Sequence, residues 1–548
     1  MRNTCDQNDK TRLPDTVVKS RRHFVKSAGL ATGASVAMTL ISPADKAIAQ
    51  QGGTDRRPRN RNSDSHTEQA LRRRIQAAQQ QHALNDASFT SNNDESELSG
   101  YVGNFTKTLP HNEFGEVDPP AYRSLLRALD SGDAADFETV PAGGNAKLAN
   151  PRAAFSFSQS GSDSHKIDMP AVHTLGSARQ AAEAAEVYWM ALCRDVAFDQ
   201  YASDPLIQAA ATDLSAFTDF TAPKEQQQIT AATIFRGQTP GDLQGGYISQ
   251  FLLLDIPYGH SSITQAYHSP VIGDDYMTDT TSWLAIQQGQ YSGAFNQLQF
   301  DSRPITTGRD LAEYVHQDFT YQAYLNAALI CLGFGSDALD QNVYSNASRE
   351  AGFITFGPSS LLDLVARAAR IALRPAWVHK WLVHRKLRPE AMGGRVHYQV
   401  SGARNYSIHN ELLNSQALAR TFDVYGNYLL PQAYPEGSPT HPSYPAGHAT
   451  IAGACVTILK AYFDENYPIP GANGLTLGGE LNKLASNIAL GRNMAGVHWR
   501  ADGDDGLAAG EAIAITLLED ELRMTTESND AGFSFTRFNG NFESLTVR

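Results

Sequence analysis

Cysteine is scarce in this chain of 548 residues: there are four, Cys5, Cys193, Cys331 and Cys455, and no two are spaced as Cys-x-x-Cys. Without that spacing there is no sequence sign of a thiolate metal site or a dithiol centre. Isolated cysteines in apolar contexts such as Gly-Ala-Cys-Val-Thr-Ile-Leu instead serve as small buried apolar groups. One disulfide among Cys193, Cys331 and Cys455 stays open if the protein is exported. Positive charge is also in deficit: 45 Lys and Arg face 58 Asp and Glu, a formal charge of −13. The first 49 residues hold eight Lys/Arg against four Asp/Glu, which leaves about −17 on the remainder. A surface of that sign argues against a nucleic-acid partner, whose phosphates need Lys and Arg. Beyond the N-terminus no apolar run is long enough, or free enough of charge, to span a bilayer. Internal repeats and glycine-rich phosphate loops are absent as well.

What is present begins with an address. Residues 20–26 read Ser-Arg-Arg-His-Phe-Val-Lys, a mildly apolar Gly/Ala/Ser/Thr-rich stretch follows, and Ala47-Ile48-Ala49 supplies a small-x-small cleavage pattern before Gln50. These three parts, in this order, make residues 1–49 a twin-arginine export signal and place the mature protein in the periplasm or medium of a bacterium. Residues 50–97 are polar and rich in Gln, Asn and Arg, which reads as a mobile, disordered linker with one short helix. Residues 98–548 form the folded domain. Apolar residues recur there at three and four, predicting helices over 121–129, 178–198, 310–334, 360–373, 375–387, 447–463, 479–490 and 505–523. Strand-like runs are few: Arg-Val-His-Tyr-Gln-Val at 395–400 and Phe-Ser-Phe-Thr-Arg-Phe-Asn at 533–539. The expectation is an all-α protein, a large helical bundle.

Three segments carry chemistry. In the first, Lys380, His384 and Arg388 fall at i, i+4 and i+8, so a continuous helix would align them as one stripe, with Arg388 at its end before Pro389. Like charges at that spacing repel. In an acidic chain they therefore point to an anion, against the plainer reading of a solvated basic face. The second segment, His441-Pro-Ser-Tyr-Pro-Ala-Gly447-His448, turns into a helix of small residues. Free N–H groups and the positive dipole end favour an oxyanion at such a start. His448, beside it, suits proton transfer. The third segment places Arg492, a planar donor fork, before His498 and Asp502, which stand four apart. In a helical turn the carboxylate would hold one imidazole nitrogen and leave the other basic.

Taken together, Lys-x7-Arg-Pro, Pro-x-Gly-His and Arg-x5-His-x3-Asp resemble the vanadium haloperoxidases, whose superfamily also holds the type 2 phosphatidic acid phosphatases and bacterial acid phosphatases. The flanks Arg-Pro-Glu-Ala-Met-Gly-Gly, His-Pro-Ser-Tyr-Pro-x-Gly-His-Ala and Gly-Arg-Asn-Met-Ala-Gly-Val-His resemble the algal bromoperoxidases and their bacterial relatives. The resemblance implies a vanadate cofactor whose vanadium is ligated by Nε2 of His498. Its oxygens would be held by Lys380, Arg388, Arg492 and the backbone N–H of Gly447, with Asp502 supporting His498. It implies that His448 exchanges protons with the axial oxygen, that Lys380 polarises peroxide, and that His441 and Trp377 line the pocket. Hydrogen peroxide, a halide (bromide first, iodide next) and small organic acceptors would be the substrates, with hypohalous acid the product. By the same analogy the protein would be a homo-oligomer. One position departs from the family: a serine that would donate to vanadate is replaced by Ala446. Two alternatives remain open. One is a phosphatase with His498 as nucleophile; the other is a non-catalytic anion-binding protein. A structural cation such as calcium is not derivable from the residues.

Overall fold

Apolar spacing becomes helix along most of the body, and the places where it does not turn out to shape the site. The computed structural model describes residues 65–527 and 531–546. The export signal, its cleavage pattern and the start of the linker lie outside the described residues. From Thr67 onward the chain is one unit. Helix α1 (His66–Ala83) buries none of its residues. The chain joins the body before residue 98, however. Asp94 is buried and accepts from the Leu175 N–H at 2.8 Å, while Glu95 pairs with Arg385 at 2.6 Å. The linker expected to run to residue 97 therefore gives way earlier to ordered structure.

The body is built from α2 (Pro119–Ser131), α3 (Ala178–Cys193), α4 (Pro205–Ser215), α5 (Thr280–Gln287), α6 (Gly308–Gln317), α7 (Gln322–Gly333), α8 (Pro358–Val378), α9 (Pro389–Val400), α10 (Gln416–Tyr425), α11 (Gly447–Tyr462), α12 (Leu477–Met494) and α13 (Arg500–Met524). Three antiparallel two-stranded pairs complete it: β1 (Ile256–Tyr258) with β2 (Ser261–Ile263), β3 (Tyr267–Pro270) with β4 (Leu298–Arg303), and β5 (Gly532–Thr536) with β6 (Phe542–Thr546). The protein is all-α in architecture. Helix α11 is buried along almost its whole length and packs on α8, α12 and α13. Glycine permits the closest of these approaches. A Cβ at Gly453 would collide with the Leu507 carbonyl, and one at Gly510 with the Thr450 carbonyl.

Three expectations need correction, and one open question closes. Residues 395–400 are not a strand: Pro389 opens α9, and the short apolar-polar alternation is overridden by burial of Met392, Arg395 and Val396 on a helix. The pattern over 310–334 is two helices, parted at Asp318, which leaves α6 with an extended backbone. Residues 375–387 are not a separate helix. Instead α8 runs through Pro375 to Val378, and His379–His384 then winds as a π-helical turn that ends on a left-handed Arg385. Lys380, His384 and Arg388 therefore share no stripe. Finally, Cys193, Cys331 and Cys455 are all buried free thiols, and no disulfide joins them.

Candidate active site

The three motif segments converge on a buried cluster of cations. Lys380 leaves the π-helical turn with its side chain wholly buried, and its Nζ donates to the carbonyls of Pro442 and Ser443, each at 2.8 Å. Arg388 has the extended backbone expected of a residue before proline and caps α9 from outside. Its guanidinium donates through Nε to the His441 carbonyl at 3.0 Å and through Nη1 to the Val497 carbonyl at 2.7 Å. Arg492, in the last turn of α12, donates through Nη1 to the Val315 carbonyl at 2.7 Å, and its Cζ lies 5.5 Å over the Tyr434 ring. Its Nε is buried with no partner. His384 does not join them. It faces His379, ring against ring at 5.4 Å, and meets Tyr444 edge-on at 4.8 Å.

His498 sits just ahead of α13, and Asp502 in the first turn reaches back to it. The Nδ1–Oδ2 separation is 2.7 Å, and the same oxygen accepts the Trp499 N–H at 3.1 Å. The other imidazole nitrogen, Nε2, lies 3.0 Å from Arg388 Nη1. A guanidinium can only donate. Nε2 therefore presents its lone pair, Nδ1 carries the proton, and the ring is held in the tautomer a metal ligand needs. Burial first, then Arg388, Lys380 and Arg492, push the His498 pKa well below the usual imidazole range, which keeps that lone pair free of a proton.

His448, the second residue of α11, is held by Asp318 with Nε2 3.0 Å from Oδ1, and its side chain remains 30% exposed. The break between α6 and α7 is what frees Asp318 to make this contact. His441 accepts from Arg388 Nη2 at 2.9 Å through Nδ1, and its ring lies 5.0 Å from that of Trp377. Trp377 in turn donates to the Ala149 carbonyl at 3.2 Å. Ala446 is the N-cap of α11 and offers no side-chain hydrogen bond. Its own N–H donates to the Asp502 carbonyl at 2.9 Å, tying this helix start to the His498 segment. At Gly447 a Cβ would meet only Leu373 and Trp377, at 3.4 and 3.7 Å, so the glycine leaves space at the helix start rather than relieving a clash.

Charge sets the chemistry. Lys380, Arg388 and Arg492 are each at most 4% exposed; of the two carboxylates that act on Arg388, Asp502 is committed to His498 and Glu390 to Lys107 at 2.8 Å. Burial drives the Lys380 ammonium well below its ordinary range, with Arg388 and Arg492 pushing the same way, and burial together with Arg492 brings Arg388 down to about 9. Burial likewise raises Asp502, opposed by the Ser443 hydrogen bond and by Lys380. Clustered buried cations without matching anions are unfavourable by themselves. They fit an oxyanion, and so do the orphaned Arg492 Nε, the helix start at Gly447 and the unprotonated His498 Nε2. Vanadate matches this donor set: one nitrogen for the metal, cations and N–H groups for its oxygens. Among the described residues no group of three or more His, Cys, Asp or Glu side chains is placed to hold a metal ion. A separate structural cation finds no site of that kind there.

The structure gathers Lys380, Arg388, His441, Arg492, His498 and Asp502, with Trp377, Ala446, Gly447 and His448 on the adjoining elements. Asp318, Ser443 and Tyr434 join this arrangement without having stood out in the sequence. Residues 364–527 match the family model described as the VCPO second helical-bundle domain. The chain is 36% identical to a vanadium-dependent bromoperoxidase of Ascophyllum nodosum over 82% of its own length and 87% of the relative's. It is 32% identical to the vanadium-dependent bromoperoxidase of Corallina officinalis over 80% of its length and 90% of that relative's. A solved homohexameric structure of the second vanadate-dependent bromoperoxidase from Ascophyllum nodosum superimposes with a TM-score of 0.84 at 31% identity, covering 92% of this chain and 96% of that one. The chain belongs to the vanadium-dependent bromoperoxidase family.

Proposed function

We propose that the protein oxidises bromide with hydrogen peroxide to hypobromous acid, using vanadate held at His498, and so halogenates small organic acceptors. The observation that carries this is the His498 tautomer inside a cage of three buried cations. Bound vanadate supplies Lewis acidity without changing oxidation state. Asp502 keeps the Nδ1 proton on His498 and so leaves Nε2 as the nitrogen that would hold the vanadium. Lys380, Arg388 and Arg492 neutralise the oxyanion and stabilise charge that develops on its oxygens, a preorganised electrostatic contribution. His448, partly open to solvent and oriented by Asp318, would act as the proton acceptor and donor for peroxide. His441, which accepts from Arg388, and Trp377 beside it stand next to the cage.

Likeness over most of the chain to bromoperoxidases favours this over the phosphatase and non-catalytic alternatives. The test is one stripped sample assayed for bromination and for phosphate-ester hydrolysis. Vanadate-dependent bromination without appreciable hydrolysis supports the proposal, and the reverse pattern overturns it. Assembly of several copies follows from the homohexameric relative, and light scattering after size exclusion tests it against a monomer. No helix among the described residues is long and apolar enough to cross a membrane. Export through the twin-arginine route into a bacterial periplasm or medium rests on Arg21-Arg22 and Ala47-Ile48-Ala49. Replacing both arginines with lysine should leave uncleaved precursor in the cell, and normal export of that variant contradicts it.

A further inference from the structure

Ser443 touches all three segments of the site at once, although its side chain faces no substrate position. Its N–H donates to the Lys386 carbonyl at 3.1 Å, which ties it to the chain just past the π-helical turn. Its carbonyl accepts from Lys380 Nζ at 2.8 Å. Its hydroxyl donates to Asp502 Oδ2, the oxygen that also accepts the His498 Nδ1 proton. The residue is fully buried, so no water competes for these bonds. A carboxylate oxygen bonded only to His498 and to the Trp499 N–H could rotate about its own side chain. The hydroxyl supplies a third donor, from a different chain segment, that fixes where that oxygen points.

We propose that Ser443 is a positioning residue: through Asp502 it holds the His498 imidazole in the ligand-ready tautomer and sets its register against Lys380. This rests on the vanadate reading of the site. The substitution Ser443→Ala leaves the carbonyl bond to Lys380 in place and removes only the hydroxyl, so it isolates this role. The loss of one hydrogen bond to a charged group predicts vanadate binding weaker by about ten- to a hundredfold.

The experiment is equilibrium dialysis of orthovanadate against stripped wild type, Ser443→Ala and Ser443→Cys, together with thermal unfolding of each stripped form. The thiol of Ser443→Cys is a weak donor of similar size and should recover part of the affinity. The expected order is Ser, then Cys, then Ala, with melting temperatures of the three forms within a few degrees. Equal vanadate affinity in all three overturns the proposal. So does a weakened affinity in Ser443→Ala and Ser443→Cys alike that tracks a large fall in melting temperature, which would assign Ser443 to folding alone. Failure of the wild type itself to bind vanadate would overturn the cofactor reading instead, so the two failures are distinguishable.

Discussion

His448 Nε2 lies 3.0 Å from Asp318 Oδ1, across a sequence separation of 130 residues, while the rest of the imidazole stays partly open to solvent. A histidine held by one nitrogen on a buried carboxylate, with the other nitrogen directed away, is oriented for repeated proton transfer. Asp318→Asn keeps the shape and removes the charge that steadies an imidazolium. We expect kcat for bromide oxidation to fall about tenfold or more, with vanadate affinity within twofold of wild type. Steady-state kinetics at saturating vanadate check this. A matching loss of vanadate affinity would show that Asp318 acts on the cage instead.

Ala446 occupies the N-cap of α11, the position at which serine both caps a helix and donates to an oxyanion. Ala446→Ser should bind vanadate more tightly, by about tenfold if one charge-assisted bond forms. It should also resist phosphate competition better. Helix capping alone predicts a gain of about 1 kcal/mol in stability. Vanadate titration and denaturant unfolding separate the two effects. Unchanged or weaker vanadate binding would mean the pocket has been reshaped around alanine.

A pH effect is expected away from the cage. His316 stacks on Tyr434 at 3.8 Å and contacts Glu313 and Glu436 at 3.3 and 2.6 Å. Burial lowers its pKa, but the hydrogen bonds it donates to both carboxylates, and their charges, outweigh burial and raise it to about 9. The folded pKa lies above the unfolded value, so the stabilisation is complete below about pH 6.5 and is lost as pH rises through 9. His316→Gln should therefore cost about 2 kcal/mol more at pH 6 than at pH 10. Urea unfolding at the two pH values measures it, and an equal cost at both contradicts the assignment.

The motifs between 380 and 502 were legible because their chemistry resides in residue type and spacing: cations, two histidines and a carboxylate survive any error in local structure. The local structure itself was less legible. A helical pattern does not distinguish an α-turn from a π-turn, so Lys380, His384 and Arg388 looked aligned when His384 in fact turns toward His379. Apolar residues on both sides of Asp318 continued the same period and hid the break that lets it reach His448. Ser443 carried no signal of its own, since a serine between two prolines reads as turn punctuation. The core helices α11, α12 and α13 were found with ends off by at most five residues, because α11 and α12 are buried at nearly every position and α13 buries about half of its residues.

The central claim is that one vanadate, ligated by His498, makes this protein a bromide-oxidising peroxidase. Its most direct test is to strip the protein with chelator at acid pH, add orthovanadate in steps, and measure bound vanadium and bromide oxidation on the same samples. The account predicts no activity in the stripped form, recovery in proportion to bound vanadate up to one per chain, loss of recovery when phosphate competes, and none in His498→Ala. Full bromide oxidation without vanadium, or activity that survives His498→Ala, would contradict it.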